Sequence, residues 1–383
     1  MFHEAAMIES LPPQQALDIV GDVHGEFEAL CALLAALGYD EQGRHAQGRR
    51  LVFVGDLCDR GPDSPAVIRW VQRSVEAGRA QMVLGNHELN LLRGARKAGN
   101  DWFWAEGRAS DQKFGLCAQA TADDRAEFLD FFSRQPLALS RADIRVSHAA
   151  WHGQSLAHVQ ALSALRSGLG SFADWFARLD AHALASQVGQ GWHELAQQQK
   201  ALWRAHFQNP QFAMPRLDAL GHLDAARQML NPLRVLTSGL ERKAPAPFFA
   251  SGLWRFAERV AWWDEYQEET PVVVGHYWRQ FLPLDRAQLG KEDADLFAEV
   301  APTQWLGQRA NVFCVDFSVG GRYQERLQGQ AGACTRLAAL RWPERELMLD
   351  TGERLTTTGY RAASHLATSQ LAAQASRHDD SRH

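Results

Sequence analysis

Three times in its first ninety residues the chain runs a short apolar stretch into a glycine and then into side chains that bind metals: LDIVGDVHG (17–25), LVFVGDLCDRG (51–61) and QMVLGNHE (81–88). The stretches between them, EFEALCALLAALGY and SPAVIRWVQRSVEAG, space their apolar residues as helices do. Strands alternating with crossover helices predict a layered α/β fold in which the carboxyl ends of the strands share one edge. Side chains distant in sequence can therefore meet there. The glycines suit turns that need positive φ or close backbone approach.

Two later strand patterns end in the same way. DIRVSHA stops on His148 and PVVVGHYW on His276, and NVFCVDFSV, CTRLAALRW and ELMLD supply further β-rich runs. Asp22, His24, Asp56, Asn86, His148 and His276 together offer carboxylate, amide and imidazole donors. Mixed nitrogen and oxygen ligation suits Mn, Fe, Co or Zn, whereas Ca and Mg favour oxygen alone. One carboxylate, Asp56 for instance, can bridge two divalent cations. A pair roughly 3.5–4 Å apart lowers the pKa of a shared water and clamps an in-line displacement at phosphorus. Arg60 would hold the nonbridging oxygens through its two-pronged guanidinium. His87 would protonate the leaving oxygen, with Asp59 on its other ring nitrogen to fix the tautomer.

Composition narrows the partners. Lys+Arg number 40 against 45 Asp+Glu, a net charge of −5, which argues against stable binding of nucleic acid or anionic membrane. The five cysteines (31, 58, 117, 314, 334) form no CxxC pair and read as reduced thiols of a cytoplasmic protein. The first residues do not read as a secretory leader, and no run of 18 apolar residues occurs, so a cytoplasmic location is the expectation.

GDVHG, GDLCDRG and GNHE, in that order and followed by two isolated histidines, resemble the calcineurin-like metallophosphoesterases, and most closely their phosphoprotein-phosphatase-type branch. The resemblance spans about residues 16–150 and 270–350. It implies a four-layer α/β/β/α sandwich and two divalent metal ions, with manganese the first expectation. Asp22, His24 and Asp56 would hold one ion, and Asp56, Asn86, His148 and His276 the other. His87 would be the acid steered by Asp59, with Arg60 and Asn86 on the phosphate. Trp278 stands where the wider superfamily often has a second histidine, which again resembles the phosphoprotein-phosphatase branch or bacterial diadenosine tetraphosphatases. The family's second phosphate-binding arginine has no secure counterpart; Arg255 is the position offered for it.

The expected organisation is one catalytic domain over residues 1–363, a helical insertion at 151–260 and a disordered tail at 364–383. Within the insertion Trp175, Phe176, Leu179, Trp192, Leu195, Leu202 and Trp203 fall at mostly helical intervals and are expected to pack a core. Blander readings go with several site residues. Glu88 suits a helix start, Asp316 a structural turn, and Cys58 a packed thiol. His152 competes with His148 for the strand-end role, and the position favours His148. The expected activity is hydrolysis of a phosphate ester on a phosphorylated small molecule, nucleotide or phosphoprotein. Dinucleoside polyphosphates and RNA ends with 2′,3′-cyclic phosphates are alternative substrates.

Overall fold

Neighbouring residues of a strand point to opposite faces, and the central strands of this chain are apolar at both. Val52 and Val54 face one core while Leu51 and Phe53 face another, all fully buried. Such double-sided apolar strands belong to sheets covered on both sides. The computed structural model describes residues 7–104, 106–107, 109–163, 171–250, 252–282 and 294–361. Elements are numbered along the chain.

One sheet has β2 (Leu17–Val20), β3 (Arg50–Phe53) and β4 (Ala80–Met82) as parallel neighbours. Beyond β2 it continues antiparallel through β11 (Ala338–Trp342), β12 (Glu346–Leu349) and β13 (Arg354–Thr356). The second sheet runs β1 (Ile8–Ser10), β5 (Ala138–Arg141), β6 (Ile144–Ser147), β9 (Val272–Val274) and β10 (Val312–Cys314). In it β6, β9 and β10 are parallel to one another. The two sheets close over a shared core of Ile19, Val52, Val54, Val83, Val146, Val273, Phe313 and Val315. Each such side chain contributes about 1.5–3 kcal/mol on burial.

The outer face of the first sheet is covered by α1 (Phe27–Leu37), α2 (Ser64–Glu76) and α4 (Ala122–Ser133). Local chemistry sets their ends. Asp63 caps α2 by accepting from Ala66 N, Thr121 and Asp124 form a capping box on α4, and Gly38 ends α1 at φ +91°. Between β4 and α4 lies the short α3 (Asn86–Leu92). The outer face of the second sheet is covered by Trp262, Trp263, Tyr266, Tyr277 and Leu306, and α10 (Arg322–Leu327) follows β10. The layered α/β fold expected from the strand pattern is present, in the two-sheet form that the resemblance implies.

Residues 153–259 lie between β6 and β9 and behave as two groups. α5 (Gly153–Ser163), α6 (Phe172–Ala185) and α9 (Pro232–Ser238) place Leu156, Trp175, Phe176, Leu179, Leu233 and Leu236 in the main core. α7 (Gln187–Trp203) and α8 (Asp218–Met229) instead build a separate core around Ala196, Leu220, Leu223 and Phe256. The final stretch, which reads as helical in the sequence, pairs as an antiparallel hairpin of β7 (Glu241–Ala250) and β8 (Leu253–Arg259). Prolines 245 and 247 bar a helix there. Leu195 and Leu202, expected inside, are 45% and 71% exposed. No helix among the described residues is long and apolar enough to cross a membrane. The expected tail lies outside the described residues.

Asp224 on α8 makes the segment's stability depend on pH. Burial, reinforced by Glu241, lifts its carboxyl to about 6 from an ordinary 3.8. Between those values the folded chain keeps a proton that the unfolded chain releases, so stability falls as pH rises from about 4 to 6 and stays lower above. Asp224→Asn is expected to raise stability at pH 7 by up to about 3 kcal/mol and to flatten that part of the profile. Thermal melts of both proteins at pH 4.5 and 7 check it. An unchanged difference between the two pH values removes Asp224 as the cause.

Candidate metal and phosphate site

Six parallel strands end on this site, three from each sheet. Asp22 follows β2, Asp56 follows β3, and Asn86 and His87 begin α3 after β4. His148 follows β6, His276 follows β9 and Asp316 follows β10. The site therefore lies across the open edge of the inter-sheet core.

The backbone there is unusual. His24, Asp56, Asp59, Arg60 and His276 all take positive φ, between 47° and 77°, a region that costs a non-glycine residue roughly 1–2 kcal/mol. The ligand-type residues themselves bear the strain, whereas three of the motif glycines serve close approach. A Cβ on Gly275 would sit 2.0 Å from Asp22 Oδ1, one on Gly85 2.2 Å from Asp56 Oδ1, and one on Gly21 2.3 Å from Val315 O. Glu88 holds the Asp56 turn from behind, accepting from Asp56 N at 2.9 Å, Leu57 N at 2.7 Å and Gly85 N at 2.9 Å. Asp316 pins two more turns, accepting from Trp278 N at 2.7 Å and Ser318 N at 2.8 Å.

Asp56 is the centre. Its carboxylate lies 3.4 Å from His148 Nε2 and 3.8 Å from both His24 Nε2 and His87 Nε2. Two groups of ligand atoms, each within 4.8 Å of one another, share it: His24–Asp56–His87 and Asp56–His148–His276. Asp22 lies 3.9 Å from His24 Nε2 and accepts from the His276 amide at 3.0 Å. Asn86 Oδ1 is 3.3 Å from His148 Nε2. The structure thus brings together all six expected ligands. His152 turns to Ser155 Oγ at 2.8 Å instead, and Cys58 is a buried thiol raised well above its ordinary pKa by burial and Asp59.

The ring orientations leave one nitrogen of each imidazole facing inward. His24 Nδ1 donates to Cys58 O at 3.0 Å and His148 Nδ1 to Val54 O at 2.7 Å, the outward anchoring that metal-binding histidines use. Burial opposes charge on Asp56, yet His148, His87 and His24 outweigh it and hold the carboxyl well below its usual range. Asp22 goes the other way, raised well above it by burial and then by Asp316. His148 is carried to about 10, burial being overcome by Asp56 and Asp22. His276 is lowered by burial and by Arg259, and its buried Nε2 has no hydrogen-bond partner among the described residues. Crowded buried carboxylates with an unpartnered buried imidazole nitrogen fit divalent cations.

Beside this cluster sits the expected acid. Arg60 Nη2 lies 3.1 Å from His87 Nε2, and His87 Nδ1 lies 2.5 Å from Asp59 Oδ2. Trp102 Nε1 fixes the other carboxylate oxygen at 2.6 Å. The Arg60 guanidinium also meets His24 Nε2 at 3.1 Å and stacks on Trp278 with 4.8 Å to the ring centroid.

From here a cleft of about 340 Å³ opens, lined by Arg60, Asn86, His87, Arg93, Phe176 and Arg234 among others. Arg255 is not in that lining. On β8 the alternation buries Phe256 and leaves Arg255 exposed, its Nε donating to Ala250 O at 3.4 Å. From the 153–259 segment it is Arg234 that reaches the cleft, two residues past the proline that starts α9. The Asn231–Pro232 pair marks that helix start in the sequence, but nothing local says which way Arg234 faces.

A buried carboxylate and imidazole cluster with a guanidinium and a histidine at its rim is chemically suited to divalent cations and a phosphoryl group. Residues 17–181 match the family model described as calcineurin-like phosphoesterase. The asymmetrical bis(5′-nucleosyl)-tetraphosphatase PrpE of Oceanobacillus iheyensis is 35% identical over 144 residues, covering 34% of this chain and 53% of that protein. The symmetrical bis(5′-nucleosyl)-tetraphosphatase of Janthinobacterium sp. is 39% identical over 164 residues, covering 42% and 53%. The chain spans about half the length of these relatives. A crystal structure of a cold-active protein-tyrosine phosphatase from a psychrophilic Shewanella aligns over 93% of this chain and 84% of that one, at 15% identity and a TM-score of 0.43.

Proposed function

We propose that the chain is a metal-dependent phosphohydrolase that cleaves phosphate esters and anhydrides. The observation that carries this is the convergence of Asp22, His24, Asp56, Asn86, His148 and His276 beside the Arg60–His87–Asp59 contacts. Asp22, His24 and Asp56 would hold one divalent cation, and Asp56, Asn86, His148 and His276 the other. Their mixed donors suit Mn first, then Fe, Zn or Co. Bound cations would supply a lowered pKa for water and charge neutralisation at the phosphoryl oxygens.

The chain's own groups do the rest. Arg60 turns its paired N–H groups to two nonbridging oxygens, an interaction Lys could not reproduce. His87 delivers a proton from Nε2 to the leaving oxygen, and Asp59, locked by Trp102, stabilises the imidazolium through Nδ1. Trp278 holds Arg60 at the rim.

Dinucleoside polyphosphates are the substrate reading best supported beyond the bare ester. Relatives bear that activity in their names, and Arg60, Arg93, Lys97 and Arg234 line one cleft suited to several negative charges. The five free cysteines support a cytoplasmic setting for this chemistry. The test is a panel on manganese-reconstituted protein: an aryl monoester and diester, a phosphopeptide, diadenosine tetraphosphate and a 2′,3′-cyclic nucleotide. Turnover that needs the metal, with the highest kcat/KM on diadenosine tetraphosphate, is the expected pattern. No turnover of any member sinks the reading.

A further inference from the structure

Outward from the cluster, α3 carries Asn86, Asn90 and Arg93 at intervals of four and three residues, one face of a helix, and all three line the cleft. Seven residues at 1.5 Å rise put roughly 10 Å of helix between the first and the last. An anion reaching from Arg60 and Asn86 to Arg93 is therefore longer than one phosphoryl group.

The far end of the cleft is built by the helical segment. Phe176 of α6, 2% exposed, has the Arg93 guanidinium 3.5 Å from its ring centroid and that of Arg234 at 4.7 Å. Asp180, one helical turn on, receives Arg234 Nε at 3.0 Å and Nη2 at 2.7 Å. Asn231 ties the arrangement to the start of α9, donating to Asp180 at 2.7 Å while its oxygen accepts from Leu233 N and Arg234 N. Arg234 is thus neutralised and fixed. Arg93 is different: its guanidinium shows no hydrogen bond or ion pair among the described residues, only the ring beneath it. Burial and the neighbouring Arg234 lower its pKa below the ordinary value. A half-buried cation beside a second one, with a single carboxylate between them, is a repulsion that an anionic ligand relieves.

We propose that Arg93 on Phe176, with Arg234 set by Asp180, forms a second anion subsite that takes the next phosphoryl group along a phosphoanhydride chain. The inference rests on the phosphohydrolase reading and adds the residues that select a polyphosphate over a monoester. Asp180 is a positioning residue, acting only through Arg234. The selecting elements, Phe176 and Asp180, belong to the helical segment and not to the motif loops.

Direct binding tests it without turnover. Calorimetric titration of the manganese-loaded protein with imidodiphosphate and, separately, with orthophosphate gives an affinity ratio. Arg93→Gln is expected to lower that ratio about tenfold, the size of one charge-assisted contact, and Asp180→Asn to lower it by a smaller factor. Arg216→Gln, which removes the same charge from an exposed site on the segment, keeps the ratio. Metal content and melting temperature confirm that each variant is folded. An Arg93→Gln ratio equal to that of the parent, or the same drop in Arg216→Gln, overturns the subsite. Because no catalysis is measured, an inactive substrate panel sinks the phosphohydrolase reading and leaves this result standing on its own.

Discussion

Asp56→Asn is expected to leave a folded protein that binds fewer than two metals and has lost on the order of 10³-fold or more in kcat/KM. Two features make the substitution clean. Asp56 sits at φ +49°, and Asn is one of the few residues that tolerates this region. Its Oδ1 accepts from His87 N at 3.0 Å, a bond that an amide oxygen keeps. What disappears is the charge that His148, His24 and His87 surround within 3.8 Å. Metal analysis and steady-state kinetics on the same preparation decide it. Two metals per chain with a rate within tenfold of the parent would remove Asp56 from the centre of the site.

His87→Asn separates acid from ligand. His87 lies as near to Asp56 as His24 does, 3.8 Å in each case, so distance alone permits it to be a metal ligand. What sets it apart is the Nδ1 partner, the Asp59 carboxylate for His87 against the Cys58 carbonyl for His24, and a carboxylate there favours an imidazolium. An acid matters in proportion to how poorly the leaving group departs. The variant is expected to keep both metals, to lose about 10²–10⁴-fold on alkyl and nucleotide leaving groups, and to lose much less on an activated aryl phosphate. Loss of a metal, or equal slowing of both classes, would end the assignment of His87 as the acid.

The site was more legible in the sequence than the cleft that serves it. Asp22, His24, Asp56 and Asn86 each follow a strand within a few residues, and a strand end is a local pattern. His148 and His276 could be placed for the same reason, and His148 separated from His152 by its position against β6. Arg234 could not, because its role comes from how α9 docks against α6, and the exposed Arg255 was offered in its place. The β7–β8 hairpin was hidden for another reason. Its strands are half-buried and carry alternating charge, Glu241, Lys243, Arg255 and Glu258, with no clean apolar period. Strands β1 and β5 are three and four residues long, too short for periodicity to register. That His24, Asp56 and His276 would take positive φ alongside the motif glycines Gly25 and Gly55 is visible only in three dimensions.

The ligands come in two halves, one from each sheet, above a shared apolar core. Cations bound there would rivet the two sheets together, and binding would carry free energy from one sheet to the other. Linkage is reciprocal. Whatever tightens the seam tightens the hold on metal, and whatever loosens it releases metal first. Val273 and Val315, buried in the seam, would therefore be part of what sets metal affinity, which would be written as much in the interior as in the motifs.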